Sequence, residues 1–478
     1  MGSNAAIQHC RRETRVTQSR QRQIARIAIP VSLEYIVMLG LNFVNQIIVG
    51  GLGAVAIAAV GFANSLTFIL TITLSALGLS VQMLVARAFG AKRVHDVNHL
   101  VTYALIFAVS GGGVLSLVLA LFPHQILTLT GASVGVASMG STYLMLTALT
   151  LAPNIVSSVL SSVMRATDHA KAPLHATTVA VVLNTALSYV LVYGWGSIPA
   201  LGVAGAGWAT LITAVLKASI LYYQTFFGYK VSQWEAPSSW RDFVNELRPV
   251  FVTAIPFGFT ELVWTLGIFS YNVITQRLGD EPLAASQISN TLEGIFITGS
   301  IGLASAATAL INRAIGAGDV AAAEGWKHTL LRAGLVSGAV FGALFGASAV
   351  FVPAWFGNAG TNVQQLAVYG VIVNAFFQIV KVRNMILAGG VLASGNQLRG
   401  IIWGDVTGAL FVGVPLAIIL GLFTPLGYWG ILAARAIDEL GKLVVFEWNA
   451  RRINWNKVVA DHAQDTTKDS PSDTVVEQ

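Results

Sequence analysis

The chain has 478 residues, of which 55% are hydrophobic and only 10% charged, with a mean hydropathy of +0.69. Soluble domains are about 25% charged, so this composition excludes a soluble enzyme, a disordered protein and a secreted disulfide scaffold. Long apolar runs without two-residue alternation also disfavour a membrane β-barrel, and the predicted class is an all-α integral membrane protein. The net charge of +6, from 28 Lys and Arg against 22 Asp and Glu, bears on membrane orientation and not on nucleic acid. The single cysteine, Cys10, allows no disulfide within the chain.

In chain order, a polar, Arg-rich arm over residues 1–25 comes first; it lacks the apolar core and cleavage site of a signal peptide. Six spans are expected over 26–50, 56–86, 98–122, 134–163, 174–194 and 201–226. A polar connection over 227–247 follows, in which Trp240 and Phe243 suggest a short interfacial helix. Six more spans are expected over 248–276, 283–311, 328–354, 365–394, 399–421 and 426–447, and then a loose polar tail over 448–478. Each span is long enough for a bilayer of ~30 Å at about 1.5 Å per residue.

Basic residues collect on one side of this succession. The arm holds Arg11, Arg12, Arg15, Arg20, Arg22 and Arg26, and later even-numbered loops hold Arg87, Lys92, Arg93, Arg165, Lys171, Arg313, Lys327 and Arg399. The odd loops hold Arg277 at most. Both termini are therefore expected in the cytoplasm of a multi-pass protein of the cell (inner or plasma) membrane, which agrees with an even number of spans.

The two halves match at a constant offset of 226: Pro30 with Pro256, Gly53 with Gly279, Asn64 with Asn290, Arg87-Ala88 with Arg313-Ala314, and Gly90-Ala91 with Gly316-Ala317. LGVAG at 201–205 echoes LGYWG at 426–430. A repeat unit of six helices enters the membrane from the same side each time. The expected architecture is twelve transmembrane helices in two six-helix lobes, related by a pseudo-two-fold axis along the membrane normal. Two such lobes facing each other enclose a cleft suited to alternating access.

Several stretches carry a resemblance: IPVSLEYIVMLGLNFVNQIIVGGLGAVAIAAVG in the first span, IPFGFTELVWTLGIFSYNVITQRLGDEPLAAS in the seventh, ARAFGAKR and NRAIGAGD closing the second and eighth, LGVAGAGWAT opening the sixth, and KVRNMILAGGVLASGNQLR in the tenth. Over about residues 25–447 the chain resembles the multidrug and toxic compound extrusion (MATE) transporters, and among them the prokaryotic DinF-type branch. The resemblance implies export of organic, often cationic, amphipathic compounds in exchange for H⁺ or Na⁺. It also marks departures. An Asp that many such proteins carry in the first span is Asn45, and the Asp of an Asn-x-x-x-Asp pattern in the fifth is Ser188, while Asn184 and Thr210 are kept. Asn45, Asn184 and Thr210 are expected to hydrogen-bond to one another. The tenth span shows Lys381-Val382-Arg383 where sodium-linked members carry an acid, which favours H⁺ over Na⁺.

Charge inside the spans is asymmetric. The first half holds Glu34 and Lys217; the second holds Glu261, Glu293, Asp405, Asp438 and Glu439 with Lys381, Arg383 and Arg435. Intramembrane charge is costly and usually functional, so proton coupling is expected in the second half. Glu261 lies thirteen residues past Arg248, roughly 20 Å along a helix and close to mid-membrane. It is the first candidate, paired with Lys381 or released from it. Glu34 and Asp405, nearer the inner surface, are further candidates. Lys381, Arg383, Asn45, Asn184, Thr210, Tyr35 and Trp264 are expected in the substrate or charge network, with Phe259 and Phe377 as aromatic walls. Arg435 is expected to pair along its own helix with Asp438 and Glu439. Pro30 and Pro256, each about one turn before Glu34 and Glu261, are candidate hinges.

The histidines, His95 and His99 among them, fall mainly in loops and at span ends, and no metal is expected. Nor is any cofactor: the sequence carries no catalytic triad, phosphate-binding loop or zinc motif. The expected function is H⁺-coupled antiport of organic cations by a monomer, its partners being a small-molecule substrate, the coupling cation and the bilayer, with no nucleic acid. Competing readings are export of an organic anion, flipping of a lipid-linked substrate, Na⁺-coupled antiport, and a receptor or scaffold without a transport cycle.

Overall fold

A computed structural model describes residues 2–129, 134–357 and 360–468, with the side chains of 2–19 and of some residues within 54–72, 134–139 and 465–468 not described. The helices are α1 Gly2–Gly50, α2 Ala54–Gly90, α3 Val94–Leu121, α4 Pro123–Leu129, α5 Val134–Leu149, α6 Leu151–Ala166, α7 Lys171–Tyr193 and α8 Val203–Tyr223. They continue as α9 Trp240–Arg277, α10 Asp280–Gly316, α11 Val320–Ser348, α12 Val352–Trp355, α13 Thr361–Ile386, α14 Leu398–Asp405, α15 Val414–Leu422, α16 Tyr428–Arg451 and α17 Trp455–Lys468. Among the described residues the only extended pairing is an isolated bridge between Trp195 and Ile198.

Among the described residues eleven spans are long and apolar enough to cross a membrane, α5–α6 and α14–α15 each counting as one. The twelfth, α16, is 24 residues long but carries Arg435, Asp438, Glu439, Lys442 and Glu447. Those charges are matched, Asp438 and Glu439 by Lys442 on α16 itself, and Arg435 and Glu447 by Glu293 of α10 and Arg383 of α13. The protein is an all-α, multi-pass membrane protein with twelve transmembrane helices in two six-helix lobes.

The repeat recurs in backbone conformation. Gly53 and Gly279, at offset 226, turn between the first two spans of each half with φ of 100° and 125°. Gly202 and Gly427 precede the last span of each half with φ of 57° and 53°. These left-handed values cost glycine little and other residues more.

The contacts between the halves obey the same symmetry. Helix α1 packs on α10, and its counterpart α9 packs on α2, while α2 and α10 pack on each other. A Cβ built on Gly90 would meet the Arg313 carbonyl oxygen at 2.1 Å, and one on Gly316 would meet that of Arg87 at 1.9 Å. Each glycine touches the repeat-mate of the residue that touches the other, as a two-fold contact requires.

The cores show where the halves join. One cluster mixes Ile24, Ile27, Val31 and Met83 with Leu303, Leu310, Val382, Leu387 and Phe446, near the end of the bundle that carries Arg87, Arg165 and Arg313. We call this the basic end. Toward the far end the halves keep separate cores, Ile48, Leu127, Tyr143 and Val203 in one and Leu292, Phe345, Val371 and Tyr428 in the other. Hydrogen bonds between the halves also lie toward the basic end: Ser32 Oγ to the Gly299 carbonyl (2.8 Å), Ser80 Oγ to the Val250 carbonyl (2.7 Å) and Gln82 Nε2 to the Ser305 carbonyl (2.9 Å).

Two expectations change. The short interfacial helix is the first turn of α9, whose Ser239 cap accepts a hydrogen bond from the Asp242 amide at 3.2 Å. Over its described part the tail is not loose: α17 follows α16, and Ile453, Trp455 and Val458 are buried in the shared core, while residues 469–478 lie outside the described residues. Pro30 and Pro256 lie inside α1 and α9, where a proline removes a backbone hydrogen bond without ending the helix.

Candidate functional site

The charged side chains inside the second half form two neighbouring groups. In the first, Lys381 of α13 donates to Glu293 of α10, and also to Asn374 Oδ1 at 2.8 Å. Arg435 of α16 donates to Asn290 Oδ1 at 2.9 Å and lies 3.8 Å from the other oxygen of Glu293. Glu293 thus sits between two cations, and Lys381 does not pair with Glu261. The sequence marked Glu293 only as one of the charges of the second half; its position follows from α10, α13 and α16 meeting.

In the second group Lys442 lies 3.1 Å from Asp438 and 3.7 Å from Glu439, both on its own helix. Asp438 also accepts from the Tyr271 hydroxyl at 3.1 Å, and Glu439 from Asn384 at 2.9 Å. Lys442 therefore takes the place expected for Arg435, whose side chain leaves α16 for α10. The spacing of Lys442 from Glu439 and Asp438, three and four residues, was the sequence signal for this pairing. Arg383 pairs with Glu447.

Helix geometry makes room for this group. Just after Asp405 the chain widens into a π-helical stretch, Val406–Gly413, and another lies at Leu387–Leu392. Such stretches recur at functional sites because they redirect side chains. A Cβ on Gly408 would stand 2.6 Å from Lys442 Cγ and 2.7 Å from Asp438 Oδ1, and one on Gly413 would stand 2.0 Å from the Tyr271 hydroxyl. Only glycine leaves space there for Tyr271, Asp438 and Lys442.

Glu261 of α9 and Asp405 at the end of α14 are half-buried on helices that pack together. Among the described residues neither carboxyl has a hydrogen bond or an ion pair. Asp405 is within electrostatic range of Lys442, Glu439, Glu261 and Asp438. So five intramembrane carboxyls, Glu261, Glu293, Asp405, Asp438 and Glu439, face three cations, Lys381, Arg435 and Lys442, and every one of those cations is bound to Glu293, Asp438 or Glu439.

The first half is arranged the other way. Buried Glu34 accepts from Arg165 at 2.7 Å and from Thr177 at 3.0 Å, and Lys217 lies 3.6 Å away. Tyr35 lies beneath the Arg165 guanidinium, 5.9 Å from it. Asn184 donates to Thr213 at 2.9 Å and accepts from Ser188 at 3.3 Å. Thr210 instead bonds to the Ala206 carbonyl of its own helix, and Asn45 Oδ1 is buried without a partner among the described residues. The expected Asn45–Asn184–Thr210 contact therefore does not form; Thr213, one turn further along α8, replaces Thr210. Trp264 and Phe259 are exposed on α9, and Phe377 packs edge-on against Phe376.

A family model, MatE, matches residues 30–190 and then again residues 256–422, two matches whose starting points lie 226 residues apart. The chain belongs to the MatE family. That makes it a membrane transporter and not an enzyme. A probable multidrug resistance protein NorM of Bradyrhizobium diazoefficiens is 28% identical over 455 residues, covering 90% of this chain and 93% of the relative. One from Rhodopseudomonas palustris is 26% identical, covering 91% and 92%. Among solved structures, an outward-facing multidrug resistance MATE family transporter of the MOP superfamily superposes with a TM-score of 0.82 at 19% identity, over 91% of this chain and 96% of that one. The eukaryotic MATE transporter AtDTX14 does so with a TM-score of 0.81 at 19% identity, over 94% and 99%. The fold is therefore shared across the family, and the relatives named do not single out its DinF-type branch.

Proposed function

We propose that this MatE protein exports amphipathic organic cations across the plasma membrane in exchange for protons, and that Glu261 and Asp405 carry the exchange. One observation carries the reading: Lys381, Arg435 and Lys442 are each bound to Glu293, Asp438 or Glu439, and these two carboxyls are left over. A carboxyl in that setting is stabilised by whatever positive charge reaches it. A proton and a cationic substrate then compete for the same pair of groups, and competition for one site is what couples their opposite movements. The NorM relatives, named as multidrug resistance proteins, support an efflux role.

In this reading the lobes span 26–226 and 248–447, and the arm, the linker over 227–247, the tail and both termini face the cytoplasm. The chain works as a monomer. The shared core at the basic end and the separate cores at the far end support alternating access, with this conformation closed toward the cytoplasm. Export of an organic anion is less well supported, because Lys381 and Arg383 are occupied by Glu293 and Glu447.

The experiment is efflux of a fluorescent lipophilic cation from proteoliposomes under imposed H⁺ or Na⁺ gradients. Wild type is compared with Glu261→Gln, Asp405→Asn and the double variant. Flux that follows the proton gradient and is lost in the double variant supports the reading. Flux that follows Na⁺, or that keeps its proton dependence in the double variant, overturns it.

A further inference from the structure

The chain connecting the halves is fastened to the first of them by a compact polar cluster at the basic end. Helix α3 begins just after Arg93, and His95 and His99 lie one turn apart on its opening face. The extended connection lies against that face. Asn98 Oδ1 accepts from the Gln233 amide at 2.8 Å and from Ser232 Oγ at 3.2 Å, and Thr102 Oγ1 accepts from the Glu235 amide at 3.3 Å. Asn98 Nδ2 then donates to Glu235 Oε1 at 2.5 Å.

These bonds aim the other carboxylate oxygen, Glu235 Oε2, at the two imidazoles. It lies 2.8 Å from His95 Nδ1 and 3.0 Å from His99 Nε2. One atom from each of the three residues falls within 4.8 Å of the others. His99 stacks on Tyr103, ring centres 5.2 Å apart, and its second nitrogen, Nδ1, faces Glu246 of α9 at 3.9 Å. His95 is largely exposed, with 71% of its side chain accessible, so the cluster opens to solvent on one side.

We propose that His95, His99 and Glu235 form a zinc site that clamps the connection between the halves onto α3. Two imidazole nitrogens and one carboxylate oxygen are a zinc donor set with a fourth position left for water. Magnesium and calcium prefer oxygen ligands throughout, which disfavours them here. Ligands held at about 2.0–2.1 Å around a tetrahedral ion lie roughly 3.3 Å apart, so each imidazole nitrogen needs to part from Glu235 Oε2 by only a few tenths of an ångström. Asn98 on the free carboxylate oxygen and Glu246 beside the free nitrogen of His99 provide the outer partners that orient metal ligands. Because Glu246 lies in the first turns of α9, the bound ion also ties the start of that helix to α3. No metal is expected from the sequence, where His95 and His99 stand four residues apart at a span end; Glu235 is distant in sequence and arrives only through the docked connection.

The test uses full-length protein purified without a polyhistidine tag and stripped with chelator. Calorimetric titration with ZnCl₂ is expected to give one tight equivalent, with no comparable response to MgCl₂. His95→Ala, whose side chain is mostly exposed and whose loss leaves the fold standing, is expected to weaken that equivalent by about tenfold or more. His99→Ala and Glu235→Gln are expected to do the same. Cobalt(II) added to stripped wild type is expected to show the ligand-field bands of a low-coordinate nitrogen and oxygen site, and to lose them in His95→Ala. Zinc affinity and stoichiometry unchanged in His95→Ala and in Glu235→Gln would overturn the proposal, leaving three hydrogen-bonded side chains. So would the absence of any tight equivalent in wild type.

Discussion

Arg87 and Arg313 occupy repeat-related positions, and each reaches into the opposite half of the protein. Arg87 donates to Asn312 at 2.8 Å and to the Ser394 carbonyl at 3.0 Å, beyond the π-helical end of α13. Arg313 donates to the carbonyls of Ala166 (2.7 Å) and Arg165 (3.2 Å), at the end of α6, and lies 2.6 Å from the Asp168 carboxylate. Asp168 and Ser394 are themselves 226 positions apart. The basic end is thus closed by two copies of one device.

Opening that end requires both arginines to let go. A hydrogen bond made by a charged group contributes about 1.5–3 kcal/mol, so removing both arginines is expected to raise the population open at the basic end by at least about tenfold. In a Cys10→Ser background carrying Thr167→Cys, the double variant Arg87→Ala, Arg313→Ala should label faster with a membrane-impermeant maleimide than the parent does. Equal labelling rates would mean the arginines only cap the helix ends they touch.

Paired and unpaired intramembrane acids should respond in opposite ways to neutralisation. Glu34→Gln leaves Arg165 and Lys217 without their counter-charge, and Lys381→Met strips Glu293 of its closest cation. Breaking one side of a buried pair costs about 3–5 kcal/mol, so both variants are expected to melt well below wild type in detergent. Glu261→Gln and Asp405→Asn break no pair, and their melting temperatures are expected to match or exceed wild type. The pair Lys381→Met, Glu293→Gln should recover part of the loss, since it removes both charges together. A lowered melting temperature in Glu261→Gln would reveal a structural partner for that carboxyl.

These contrasts also show how far the sequence alone reaches. Span number, orientation of the repeat and the excess of acids in the second half all follow from local composition and from one constant offset. Which acid meets which cation does not. Lys381 lies on α13, and rotation about that helix directs it to Glu293 of α10 and not to Glu261 of α9. Arg435 and Lys442 are both within pairing distance of Asp438 and Glu439 along α16, and only the approach of α10 to Arg435 decides between them. Thr213 replaced Thr210 for the same reason, a choice between adjacent faces of α8. The widening of the chain after Asp405 has no compositional mark except the glycines that accommodate it.

Those glycines give a third prediction. Gly413 leaves space for the Tyr271 hydroxyl, which bonds to Asp438. In Gly413→Ala the new methyl would overlap that hydroxyl, and overpacking of this kind costs about 1–3 kcal/mol. Tyr271 must then move and release Asp438, which upsets the balance around Lys442 and Asp405. Transport is expected to fall sharply in Gly413→Ala and also in Tyr271→Phe alone, which releases Asp438 without adding bulk, while Gly413→Ala, Tyr271→Phe, which removes the colliding oxygen, is expected to match Tyr271→Phe alone. A double variant well below Tyr271→Phe alone would show that the strain falls on the α15–α16 backbone contact.

The segment after α16 looks dispensable by composition and is not so by packing. Ile453, Trp455 and Val458 are buried against the core shared by both halves, and a Cβ on Gly395 would lie 2.6 Å from Ile453. Burial of each such side chain contributes about 1.5–3 kcal/mol, and loss of a large one also leaves a cavity. Trp455→Ala is therefore expected to cost about 3–5 kcal/mol, and a chain ending at Arg451 to cost at least as much. A chain ending at Lys468 should melt with the full-length protein. Because Ile453 supports the turn that carries Ser394, the acceptor of Arg87, the same truncation is expected to loosen the basic end. It should speed maleimide labelling of Thr167→Cys as the arginine substitutions do. A truncated chain with reduced stability but unchanged labelling would separate the two roles of this tail.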